Sequence, residues 1–403
     1  MLSVLSKTLL FTALIAPFAG TSVFAEPLKE YTDKDPLNGF ALKNVYSVTV
    51  TGDADLVAWA SKAVGAHGAF DVKPGATLKF NFAKSGANSV TVTVSGSIPS
   101  QNFTATSTGA DSLQALWGAV DAAIVGAGQK YAVKPIFSKT KLAFVRETGT
   151  DVSEICSGDL MLPTARGLTG HGKRSLAPHW SPDGRSVYYT SYFKSGGADV
   201  FRVDLNGGVS PIATYKGTNT GGAVSPDGSR IALALSPKGT LDIYVAGSDG
   251  RGIKPIVATP DVETSPCWSP DGTRIAYTGG ISGRPKVMIV AASGGAPKAL
   301  STQGDSTEPA WNPVRQNQIA YTIGNCAGIG VADISSGASV EPRKATGSVS
   351  HPTWCADGRH VVVTIGTGKA VKLGLYDTES GKLTVISGPQ FGACSDPDAL
   401  IVK

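Results

Sequence analysis

At 403 residues, with 41% hydrophobic and only 17% charged side chains, the chain can bury a substantial core and is not a disordered polymer. A net charge of +5 with no basic run behind it excludes the electrostatic footprint of a nucleic-acid binder. The 49 glycines and 24 prolines instead suit short strands and many turns.

The first segment reads as an export signal. Lys7 supplies the positive charge, residues 8–20 are mainly apolar, and Val23-Phe24-Ala25 offers a processing site, so cleavage is expected after Ala25. The apolar stretch of 1–25 is too short to cross a bilayer as a helix. Residues 26–44 follow as a polar arm that begins Glu26-Pro27-Leu28-Lys29. Residues 45–134 then read as a small α/β domain. Strands are expected over 46–50, 77–82, 89–94 and 102–106 from their alternation. A helix over 53–66 would be capped by Asp53 or Asp55 and present Leu56, Val57, Ala60 and Val64 on one face. A second helix within 107–127 starts near Asp111, with Leu113, Leu116, Trp117, Val120 and Ile124 at helical spacing.

From residue 135 onward one pattern repeats every 43 or 44 residues. Pro178-His179-Trp180-Ser181-Pro182-Asp183-Gly184 recurs around Val224, Trp268, Trp311 and Trp354, with a degenerate copy at Ile136-Phe137-Ser138. In each copy Asp-Gly supplies a turn whose glycine is free to take positive φ. A β-branched and aromatic strand follows, then a Gly-rich loop and two more short strands. Four antiparallel strands per repeat make the blade of a propeller. Residues 135–403 therefore read as a six-bladed β-propeller, so the chain is mainly β with a small α/β domain in front. Residues 399–402 are expected to complete the first blade. The recurring tryptophans, at the same place in four of the blades, suit packing between blades.

Catalytic signatures are missing from the sequence. There is no His-Glu-x-x-His helix, no Gly-x-Ser-x-Gly elbow, no phosphate-binding loop and no dinucleotide fingerprint. No cofactor or metal is called for, and the chain reads as a binding protein rather than an enzyme. The five cysteines, Cys156, Cys267, Cys326, Cys355 and Cys394, fit no zinc template, and their odd number leaves their pairing open. The loops that precede the first strand of each blade gather at one mouth of the channel, where loops on a rigid scaffold carry function. They bring together Thr220, Glu263, Thr264, Asp305, Thr307, Glu308 and His351, with His171 and Lys173 on the rim. This mouth is the expected partner-binding site. The alternative is a polysaccharide lyase or glycan sensor working through His171, His179 and His351. The turn carboxylates Asp183, Asp227, Asp271 and Asp357 sit at the opposite end and suit turn stabilisation.

The export signal, the small α/β domain and the Trp180–Gly184 and Trp268–Gly272 repeats together resemble the TolB family of the Tol–Pal envelope system. The resemblance covers residues 45–403. It implies a monomeric periplasmic scaffold that docks a Pal-like peptidoglycan-associated lipoprotein at one mouth of the propeller. It also implies a contact of the N-terminal arm with the inner-membrane protein TolA, and a role in envelope integrity and constriction at division. The arm Glu26-Pro27-Leu28-Lys29-Glu30-Tyr31 departs from the apolar-and-charged start typical of that family.

Overall fold

A computed structural model describes residues 46–96, 102–128, 133–281, 283–302, 304–341 and 347–402. The expected leader and arm, 1–44, lie outside the described residues.

The first layer is a five-stranded sheet backed by two helices. Strands β1 (Tyr46–Gly52), β2 (Phe70–Val72), β3 (Leu78–Gly86), β4 (Ser89–Ser95) and β5 (Phe103–Thr108) lie in the order β2-β1-β3-β4-β5. Both neighbours of β1 are parallel to it, so the chain crosses over through helix α1 (Ala54–Ala66). β3 alternates cleanly, with Leu78, Phe80 and Phe82 buried between exposed residues. Helix α2 (Ser112–Ala127) opens with Asp111 accepting the backbone N–H of Gln114 at 2.8 Å. Asp53 occupies the N-cap position of α1 but does not cap it. Its carboxylate accepts the N–H of Lys84, while Asp55 pairs with the Lys84 ammonium. The three-residue strand β2 is too short to show alternation, which is why periodicity does not reveal it.

Six four-stranded antiparallel sheets follow, each a meander. In blades two to six the first strands are Ser175–Trp180, Asn219–Val224, Thr264–Trp268, Ser306–Trp311 and Val349–Trp354. In blade one the first position is taken by the last strand of the chain, Cys394–Ile401, which pairs antiparallel with Thr140–Gly149. The six first strands touch one another in order, and the last touches the first, so the ring closes. Closure leaves no blade with a bare face.

The tryptophans hold adjacent blades together. Trp180, Trp268, Trp311 and Trp354 are all buried. The Trp268 and Trp354 indole N–H groups each donate 2.9 Å to a carbonyl of the preceding blade, at Ala223 and Ala310. Arg230 and Arg274 stack on Trp268 and Trp311 from the neighbouring blade, 4.6 and 4.7 Å from the ring centroids. Asp183, Asp227 and Asp271 accept the hydroxyls of Ser181, Ser225 and Ser269 within their own turns. The Ser225 and Ser269 hydroxyls are the main reason that Asp227 and Asp271 are drawn down to about 2.

The five cysteines form no disulfide, and Cys156, Cys355 and Cys394 are buried as small apolar residues. The hydrogen bonds that tie the α/β layer to the propeller run to blades one and six. Trp117 donates to Asp159, Lys62 to the carbonyl of Ile386 and Lys382 to that of Phe70. Asp121 of α2 accepts the N–H groups of Ile136, Phe137 and Ser138 and the Ser138 hydroxyl.

Candidate functional site

Each first strand carries a bulge at the same place, marked by a break in its register with the second strand. The residue at the bulge has positive φ: Ala177 (46°), Ser265 (51°), Glu308 (52°), His351 (52°) and Asp396 (48°), with Gly221 (89°) and Gly222 (126°) in blade three. Five of the six positions hold a residue with a side chain, at a cost of about 1–2 kcal/mol each. Strain repeated at one place around a ring marks the bulge as a built feature of the blade. Blades two to four place small residues there, and blades five, six and one place Glu308, His351 and Asp396.

Those three charged side chains meet. His351 Nε2 lies 2.9 Å from Glu308 Oε1 and 3.5 Å from Asp396 Oδ1. Glu308 also accepts the Thr322 hydroxyl at 2.7 Å and the backbone N–H of His351 at 2.9 Å. A threonine on the second strand of the preceding blade supports each of these three bulges. Thr278 accepts the N–H of Glu308, Thr322 that of His351 and Thr364 that of Asp396. In blade two the equivalent Thr190 bonds Thr220 at 3.2 Å. Burial works against the charge on His351, but the Glu308 and Asp396 carboxylates outweigh it and raise the imidazole to about 10. Burial likewise opposes ionisation of Glu308, yet the paired imidazole draws its carboxyl down to about 2. Both are charged at neutral pH.

The sign of the pH dependence follows. The His351 contribution is complete below its ordinary value of 6.5 and fades as pH climbs towards 10. The same pair seen from Glu308 is complete above 4.5 and fades as pH falls towards 2. The channel-facing exposure of His351, 37% of its side chain, screens the pair and keeps its net worth below what the shifts alone suggest. An NMR titration of the His351 ring will therefore show a midpoint well above 6.5, and Glu308→Gln will bring it down towards that value. An unchanged midpoint in Glu308→Gln would break this account of the pair.

Antiparallel meanders put alternate connections at opposite ends, so the loops before first strands share one end with the loops between second and third strands. His171 stacks on Phe193 with ring centroids 4.0 Å apart and bonds the Tyr189 hydroxyl at 2.8 Å. Lys173 is exposed beside it. Thr264 and Thr307 are half-buried opposite Thr278 and Thr322. Asp305 pairs with the exposed Arg284 at 3.0 Å.

Glu263 departs from expectation. It is 1% exposed, accepts the Thr259 hydroxyl and lies beside the buried Asp242, and burial pushes its carboxyl up. It cannot face a partner from that position: it lies in the loop just before the strand Thr264–Trp268, but its backbone N–H is tied to the Leu241 carbonyl and its side chain is turned inward onto Thr259. Residues not singled out from sequence complete the end. Tyr215, Val262 and Ile281 are 42%, 47% and 42% exposed there, the first two on the loops after blades two and three and Ile281 at the end of the strand Arg274–Ile281 in blade four. A groove of about 550 Å³ between blades two and three is lined by Lys194, Asp199, Tyr215 and Lys216. Asp396 was hidden because the final repeat is cut short. The threonines were visible as the residue closing Tyr189-Thr190, Tyr277-Thr278, Tyr321-Thr322 and Val363-Thr364.

His171, His179 and His351 are each engaged locally, with Tyr189, Asp398 and Glu308 respectively. The fold and this open end define a six-bladed propeller carrying a small α/β region, built with a strained polar channel and an apolar-and-basic rim. The family model for the TolB beta propeller domain matches residues 131–391, and the chain belongs to that family. Curated Tol-Pal system proteins TolB from Anaeromyxobacter dehalogenans and Francisella tularensis are 30% identical over 123 residues and 35% identical over 127 residues. These matches cover 30% and 29% of this chain, and only 28% and 29% of those relatives' own length. A crystal structure of TolB from Acinetobacter baumannii superposes with a TM-score of 0.75 over 88% of this chain and 96% of that one. At 18% identity it shows the shared fold.

Proposed function

We propose that the chain is a periplasmic docking scaffold of the Tol–Pal type, in which a Pal-like peptidoglycan-associated lipoprotein seats on the loop end of the propeller. The observation that carries this is the exposure of Tyr215, Val262 and Ile281 on the loop end, where Tyr215 lines a groove with Lys194 and Lys216. Exposed lysines at 173, 194, 216 and 238 surround that end, so the partner surface is acidic at its rim. A partner group entering the channel would meet Glu308, His351 and Asp396 on one side and the small residues of blades two to four on the other. The work is binding rather than turnover. Of the residues expected at the mouth, Thr220, Thr264, Asp305, Thr307, Glu308, His351, His171 and Lys173 remain in the proposed surface, and Glu263 supports it from beneath. In the same reading, residues 1–25 are removed on export, and the arm beginning Glu26-Pro27-Leu28-Lys29 contacts TolA. The 45–134 layer and the 135–403 propeller act as two domains, in support of envelope integrity and constriction at division.

A crosslinked pull-down of the tagged mature protein from its own cell envelope, read by mass spectrometry, tests this. Enrichment of a peptidoglycan-associated lipoprotein is expected, with a loss of at least about thirtyfold in a Tyr215→Ala, Ile281→Ser variant of unchanged melting temperature, since central apolar contacts cost about 1–2 kcal/mol or more each. Recovery of no envelope protein would sink the proposal. Recovery that is indifferent to both substitutions would move the interface off this end.

A further inference from the structure

The turn of blade six differs from its counterparts. Where blades two to four have Ser181, Ser225 and Ser269 donating to the turn carboxylate, blade six has Cys355. Asp357, without that hydroxyl, accepts His360 Nδ1 at 2.6 Å instead, together with the backbone N–H groups of Arg359 and His360. An imidazole held by a carboxylate at Nδ1 presents Nε2, the arrangement that orients metal-bound histidines. That Nε2 is buried and has no hydrogen-bond partner.

A second imidazole faces it from the α/β layer. His67 follows the last residue of α1, is fully buried, and its ring centroid lies 4.6 Å from that of His360. Its Nε2 is likewise without a partner. Donor atoms of His67, Asp357 and His360 all lie within 4.8 Å of one another. The Asp377 carboxylate adds charge 3.8 Å from His360 Nε2, partly offset by Arg359, which binds it at 2.8 and 2.6 Å. Gly68 makes room for this approach, since a Cβ there would fall 1.7 Å from Asp377 Oδ2. A cavity of about 140 Å³ borders His67 and Asp357, its wall completed by Lys134, Arg315, Arg359 and Glu379.

We propose that this seam binds one divalent transition-metal ion of the Zn²⁺ class through Nε2 of His67 and Nε2 of His360. Asp357 orients His360 from its other nitrogen. Nitrogen donors with a nearby carboxylate suit Zn²⁺, Co²⁺ or Ni²⁺ rather than Ca²⁺ or Mg²⁺. The Ala69 N–H lies 3.2 Å from His67 Nδ1. Ligation at Nε2 moves the His67 proton to Nδ1, so that long contact is released as the metal enters, and a protonated His360 gives up its Nε2 proton to solvent. The ion clamps the α/β layer to blade six.

The test uses the untagged mature protein, stripped with chelator and titrated with Co²⁺ while its visible absorption is followed, with Zn²⁺ added as competitor. One equivalent of Co²⁺ with a saturable spectrum, displaced by Zn²⁺, is expected. His67→Gln and His360→Gln will each weaken binding at least about 100-fold, the upper end of what even supporting residues of metal sites contribute. Melting in chelator shows whether each variant folds like the parent. His67→Gln is the decisive one, because its position in the seam lies outside the blade. No saturable spectrum in the parent overturns the proposal, as does a folded His67→Gln that binds Co²⁺ as tightly as the parent.

Discussion

Deleting residues 394–403 will abolish cooperative folding of the propeller. The strand Cys394–Ile401 supplies the inner edge of blade one, pairing with Thr140–Gly149 along most of its length. It also fastens the neighbouring blades, since Asp398 accepts the Trp180 N–H at 2.8 Å and Ala399 donates to Thr353 at 3.0 Å. Its removal leaves a bare edge and opens the ring between blades six and two. About six ladder positions and their inter-blade contacts at roughly 1 kcal/mol net each approach the whole stability of a typical domain, about 5–15 kcal/mol. Urea unfolding followed by tryptophan fluorescence checks this, and a sigmoidal transition like that of the full chain would contradict it.

Asp121→Ala will destabilise the chain by about 3 kcal/mol or more, since each buried donor left unsatisfied costs about 1–3 kcal/mol. The carboxylate is 4% exposed and takes three consecutive backbone N–H groups and one hydroxyl from residues 136–138. Burial pushes its carboxyl up, against the pull of those four donors. Alanine orphans the three N–H groups where the α/β layer enters blade one. Asp121→Asn keeps one acceptor oxygen but turns an amide donor towards Ser138, so it will cost about half as much. Chemical denaturation of both variants checks the order, and a shift below about 1 kcal/mol for alanine would show that water replaces the lost acceptor.

Much of the propeller is written in the sequence because one physical problem is solved six times. Each blade needs a turn after its first strand and a β-branched second strand, and four of them place an aromatic between neighbours, so Trp180, Trp268, Trp311 and Trp354 and the Asp-Gly turns recur in phase. The end that carries Glu308 and His351 was legible for the same reason, since loop position follows from strand order. What a residue does there was less so. Glu263 and Glu308 are the same residue type and sit near the same end, yet one is buried beside Asp242 and the other lines the channel on a bulge. A bulge shifts the alternation by one residue, but in first strands of five or six residues the shift is too brief to be read as a pattern, so the ring of positive-φ side chains shows only in three dimensions. Contacts across more than 200 residues are invisible to periodicity altogether. His67 and His360 are unremarkable histidines until the α/β layer folds back onto blade six.

The docking reading rests on which end of the propeller meets the partner, and site-specific photo-crosslinking in living cells addresses that directly. A benzophenone side chain placed at Tyr215 or Ile281, on the loop end, will capture a peptidoglycan-associated lipoprotein. The same side chain at Val209 or Val314, exposed on the turn end, will not. Capture from Val209 and Val314 with none from Tyr215 and Ile281 would contradict the assignment of the loop end as the docking surface.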